Sequence, residues 1–208
     1  MTSVHLSDHV PEVLIKVVHP GSNTLAAVRV HLRAMARGKH RGLEDDQGAP
    51  VLGKRAVDRL IEDWDLDLEA LLGCRVYFDP RRAKPPKLVH KIIFSMPRGT
   101  PPDKLLLAVR DLVREEFPPH RYALGLHTDE PHLHVHVIVK ATGEQGRRLN
   151  IRKATLWGWR EGFARLLRSR GVPAKATRRA TRYRCQLIRG PVPSFAAQFP
   201  QLLRQSHD

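Results

Sequence analysis

Between Leu126 and Lys140 the chain reads LHTDEPHLHVHVIVK, and His127, Asp129, His132, His134 and His136 follow the pattern H-x-D-x-x-H-x-H-x-H. Imidazole nitrogens ligate divalent ions, and three that converge can hold one while leaving coordination positions open. In an extended chain, residues two apart share a face. His132, His134 and His136 therefore project to one side, and Val135, Val137 and Val139 to the other, toward a covered core. A tight turn through TDEPH brings His127, at the end of the preceding strand, back beside His134 and His136. His132 sits at the turn, where it either lies beyond the coordination sphere and meets substrate or stays in solvent. Asp129 is placed to cap the same turn.

The elements that must position these side chains follow from periodicity. VLIKVV, 13–18, reads as a strand. Leu25, Val28, Leu32 and Met35 recur at helical spacing, so 24–37 is an amphipathic helix that Gly38 stops. Residues 39–53 are polar and glycine-rich and read as loop. Val57, Leu60, Ile61 and Trp64 predict a second, shorter helix, and 75–86 a basic connector. LVHKIIFSM, 88–96, is a second strand. Thr100, Pro101 and Asp103 open a helix whose buried stripe is Leu105, Val109, Leu112 and Val113. Strands at 120–127 and 132–140 follow, and Thr155 caps a last helix with Leu156, Trp159, Phe163 and Leu167 inward. The expected fold is α/β in the α+β sense, with a mainly antiparallel central sheet and helices packed on one face.

The chain has 208 residues, a formal net charge of +15 and a sequence pI near 10.7, a balance that favours polyanion partners, nucleic acid first. Acidic residues concentrate in EDDQ and EDWDLDLE, whereas Lys140 to Arg184 holds fourteen Lys or Arg against Glu144 and Glu161. No apolar run approaches the roughly 20 residues that span a bilayer, so membrane insertion is not expected. The start MTSVHLSDHVPEV lacks the pattern of an export signal, and the two cysteines, Cys74 and Cys185, form no CxxC pair. A cytoplasmic location is the expectation.

H-U-H, with U hydrophobic, resembles the metal motif of the HUH endonucleases. The preceding H-x-D is similar to the third motif of conjugative relaxases, or mobilisation nucleases, and most of all to the branch that includes the T-DNA border endonuclease of Agrobacterium. EDWDLDL, PKLVHKIIFSMPRGTPP, REEF, HRYALGLHTDEPHLHVHVIVKA and EQGRRLNIRKATLWGWREGFARLLRSRGV extend the resemblance over about 12–180. It implies an HUH relaxase-like nuclease domain over 1–173, followed by a basic, irregular tail over 174–208. It implies His127, His134 and His136 as ligands of a divalent metal, magnesium or manganese, although imidazole donors also suit zinc. Asp129 then orients a ligand or helps activate the nucleophile, and with His132 forms the catalytic set. Ser95, before MPRGT, matches the second motif and would hold the DNA backbone. Arg147, Arg148, Asn150, Arg152 and Lys153, in the basic run, are the expected DNA contacts. The partner implied is single-stranded DNA at an origin of transfer, with accessory relaxosome proteins and a type IV coupling protein.

One departure changes the expected chemistry. The family's nucleophilic tyrosine sits late in the first helix, and in HLRAMARGKH that position falls on Ala34. A methyl group cannot attack phosphorus. The three tyrosines are elsewhere: Tyr77 in the basic connector, Tyr122 on the opposite face of its strand from His127, and Tyr183 in the tail. The sequence thus predicts a relaxase-type protein that binds metal and single-stranded DNA with tyrosine transfer impaired. A catalytically inactive DNA-binding accessory module of a mobile element is the alternative. A zinc hydrolase acting on a small molecule would use the same histidines but leaves the basic run unexplained.

Overall fold

The structure is a computed structural model that describes residues 10–36, 41–76, 86–128 and 132–177. Contacts divide the chain into two units, residues 1–176 and 177–208, and every element described belongs to the first. Six strands, β1 (Leu14–Ser22), β2 (Arg41–Asp45), β3 (Pro50–Val51), β4 (Val89–Met96), β5 (Tyr122–His127) and β6 (Leu133–Lys140), form one sheet. Its order is β1-β4-β6-β5-β2-β3, and every neighbouring pair is antiparallel. The long strands are β-branched and apolar on both faces, so each face needs a cover.

Two helical layers supply it. α4 (Pro102–Glu116) and α5 (Lys153–Arg168) bury Leu105, Val109, Leu112, Trp159, Phe163 and Leu167 against Ile92, Phe94, Val135, Val137 and Val139. Edge-to-face ring pairs, Phe94 with Phe163 at 5.4 Å and Phe117 with Trp159 at 5.0 Å, lock this side. The other face carries α1 (Leu25–Met35), α2 (Gly53–Asp63) and α3 (Leu66–Val76), whose Val28, Leu32, Met35, Val57, Ile61 and Leu66 pack on Leu43, Ala123 and Ile138. At about 1.5–3 kcal/mol per fully buried large aliphatic side chain, either layer outweighs the surface ion pairs around it.

The α+β class and antiparallel sheet are as the sequence implied, including the β5–β6 hairpin. Helices on a single face are not: Ala123 and Ile138 are also buried, so the second face takes its own layer. Residues 41–51 are a hairpin rather than loop. Its polar turn is self-sufficient, because the Asp45 carboxylate accepts from the Gln47 and Ala49 amides at 3.0 and 2.7 Å. α3 was also hidden from periodicity. It follows α2 after one left-handed residue, Asp65 (φ 51), and its acidic first turn suits the helix N-terminus. α5 is capped in reverse of expectation: the Thr155 hydroxyl accepts from the Arg152 N–H at 3.4 Å, so Arg152 holds the cap position. α4 begins after Pro101, which takes the cap position expected of Thr100. Among the described residues no helix is long and apolar enough to cross a membrane.

Candidate metal centre

The β5–β6 register places His127 opposite His134 and Gly125 opposite His136, while β4 sets Ser95 beside His134 and Ile93 beside His136. Three imidazoles therefore stand on one face, and His127, His134 and His136 each offer a ligand nitrogen within 4.8 Å of the others. Ring centroids are 4.5 Å apart for His127–His136, 4.8 Å for His134–His136 and 5.5 Å for His127–His134. The His134 Nδ1–H donates to the His132 carbonyl at 3.1 Å. A carbonyl only accepts, so this bond fixes the tautomer and leaves Nε2 as the nitrogen with a free lone pair.

Electrostatics disfavour charge on His136. Burial, then the neighbouring His127, His134, His31 and Lys91, push the His136 pKa well below its ordinary value. Neutral imidazoles are the ligating form, so His136 is ready to bind without first losing a proton. The residues fit a divalent ion: three convergent nitrogens, one tautomer set by the backbone, and no carboxylate in the donor set of the described residues. Uncharged donors would leave the ion's full charge for an anionic substrate.

Two neighbours were not foreseen. His31, on α1, has its ring 6.2 Å from that of His136, and burial, Lys91 and His127 lower its pKa to about 4. Its signal was in the sequence: position 31 lies on the apolar stripe of Val28, Leu32 and Met35. Gly125 lets this helix come close, since a Cβ there would sit 3.3 Å from the Met35 Cε. Lys91, on β4, pairs with Ile138 across β6 and so stands on the histidine face, half-buried, with burial lowering its pKa.

The remaining expected site residues divide. Ser95 is buried and its hydroxyl donates to the Leu133 carbonyl at 3.2 Å, so it braces the strand that carries His134 and is committed to the sheet. His132 contributes its carbonyl to the cluster, and its ring is outside the three-donor group. Asp129 lies outside the described residues. Ala34 is exposed on the last turn of α1, three residues beyond His31. Tyr122 points to the opposite face, into the core under α4 and α5; Tyr77 and Tyr183 lie outside the described residues.

The basic run is not beside the histidines. Arg148 and Asn150 line a cavity of about 410 Å³ with Val17, Lys87, His90 and Ile151. His90 pairs with Val139 and Val17 with Ile92, and those partners belong to the core on the far face of the sheet. Arg148 is spent on structure, donating to Thr142 Oγ1 at 3.1 Å and to the Lys87 carbonyl at 2.6 Å. Arg147, Arg152 and Lys153 are exposed on the segment that leads into α5, the helix packed on that same far face. The separation follows from β6, after which the chain turns back over the side that Val135, Val137 and Val139 occupy.

Residues 78–172, which run from before β4 to beyond α5, match a family model of a relaxase nuclease domain. The family described is "Relaxase: MobA/VirD2-like, nuclease domain", and the matched segment bears all three histidines of the cluster. α1, with His31 and Ala34, precedes the match. No curated protein matches the chain. A solved structure described as "Molecular Basis of Vancomycin Resistance Transfer in Staphylococcus aureus" is similar at 13% identity, covering 81% of this chain and 97% of that one, with a TM-score of 0.49. At that level the likeness carries no argument.

Proposed function

We propose that the chain is a metal-dependent, single-stranded DNA-binding relaxase-type protein that acts at an origin of transfer in conjugation or mobilisation, with tyrosine transfer impaired. The observation that carries this reading is the convergence of His127, His134 and His136 within 4.8 Å, inside a segment that matches a relaxase nuclease domain. These three residues would hold the cation. When bound, a divalent ion offsets the negative charge of a DNA phosphate and fixes its orientation. The protein's own residues do the rest: His134 is oriented by the His132 carbonyl, Gly125 lets α1 approach with His31 beside His136, and Asp129 and His132 are the proposed catalytic pair. Magnesium or manganese follows from the resemblance, while an all-imidazole donor set favours a softer ion such as zinc.

Impairment rests on Ala34 and on the direction of Tyr122, which faces the core away from the histidines. The same two facts favour a second reading, a catalytically inactive accessory module that keeps the metal and the DNA. In either case the protein works in the cytoplasm, with relaxosome proteins and a type IV coupling protein as proposed partners.

The test is binding of a fluorescent single-stranded oligonucleotide across a salt series, with zinc, manganese or magnesium and with chelator. Affinity should fall linearly with the logarithm of salt concentration and rise on adding metal. Binding indifferent to both salt and metal would remove the proposal.

A further inference from the structure

Several partly buried bases among the described residues are held by acids. Arg29 and Arg33 hold Asp58, Arg110 holds Glu44, Arg121 holds Asp46 and Asp63, Lys140 holds Glu69, Arg165 holds Glu115 and Arg170 holds Asp111. Lys91 differs. It is half-buried in the middle of the sheet and makes no ion pair with any described acid. The groups beside it are His31 and His136, whose imidazoles it repels when they are charged. An ammonium drawn out of water without a carboxylate costs stability, and neutral imidazoles offer it no compensating charge. The residues expected to carry DNA, Arg148 and Asn150 among them, are on the other side of the sheet. The cation available next to the histidine cluster is therefore Lys91.

We infer that Lys91 is a phosphate-binding residue, the seat for a backbone phosphodiester of single-stranded DNA lying over the histidine face. His31 forms the neighbouring wall, and α1 limits the approach from one side. The seat works without the metal, because its charge belongs to the protein. It also opposes the metal: a fixed positive charge near His136 weakens cation binding until an anion arrives, so DNA and metal favour each other's binding. The inference rests on the single-stranded DNA reading and names the residue through which that reading acts.

The experiment uses the full chain and measures oligonucleotide affinity in chelator over a salt series for wild type, Lys91→Gln, Lys91→Arg and Lys104→Gln. Lys104 is an exposed lysine on α4, behind the sheet. Lys91→Gln should lose about tenfold in affinity, the size of one charged hydrogen bond. Its slope against log salt should flatten by about 0.7, the share of one phosphate on a single strand. Lys91→Arg should keep both, and Lys91→Gln should bind metal more tightly than wild type in the absence of DNA. Lys91→Met carries the test if Lys91→Gln does not fold. A slope for Lys91→Gln equal to that of Lys104→Gln overturns the phosphate seat while leaving the DNA reading intact. Wild type that binds no single-stranded DNA at any salt overturns both.

Discussion

Acid should destabilise this protein through α1, and the size of the effect can be worked from His31. Its pKa falls from 6.5 to about 4 because it is buried, with Lys91 and His127 adding repulsion. In the unfolded chain the ring returns to its ordinary value. Between those two values the unfolded state holds the extra proton, so stability falls as pH falls, beginning near 6.5 and complete below about 4. The cost is about 2 kcal/mol at pH 5 and about 3 kcal/mol at pH 4, a sizeable part of the 5–15 kcal/mol that typically holds a domain together. His31→Leu removes the titration and keeps an apolar body on the buried stripe. Urea unfolding in chelator at pH 7.5 and pH 5 measures it as a difference between the two proteins. Wild type should lose about 2 kcal/mol more than His31→Leu over that interval, whatever the carboxylates contribute to both. Parallel losses would show that His31 is not buried against His136, and the packing of α1 over the cluster would fall with it.

His134→Ala should abolish stoichiometric metal binding, checked by elemental analysis after dialysis, and with it the stabilisation expected of metal on wild type, about 2.7 kcal/mol at a hundredfold excess over Kd, read in urea unfolding. Retained one-to-one metal would remove the ligand assignment. Incubation of wild type with origin oligonucleotide and metal should give no covalent adduct by intact mass, since position 34 is alanine. Ala34→Tyr should give one: the site is exposed, so the ring fits, and it lies one turn beyond a residue that touches the cluster. A variant that binds DNA and metal yet never forms the adduct would mean that more than the nucleophile has been lost.

Much of the centre was legible before any coordinates. Alternation along β6 put His134 and His136 on one face, and a five-residue turn left His127 no place except beside them. Pairing of β5 with β6 was a local matter, and local rules are what a sequence states. The stripes of α1, α4 and α5 were equally plain because each helix buries one side only. What failed was either polar and self-capped, as at Asp45, or joined to a neighbour by a left-handed residue, as at Asp65, since neither leaves an apolar period to read.

The sequence by itself determined the three histidines on one hairpin, the alanine at position 34 and the excess of positive charge. Only the tertiary structure decided where that charge goes. The Arg148 segment turns back over one side of the sheet, α1 lies over the other, and which side a connection takes depends on long-range packing that no spacing encodes. Hence Lys91 and His31, inconspicuous in the chain, became neighbours of the cluster, and the arginines that looked closest in sequence ended behind it.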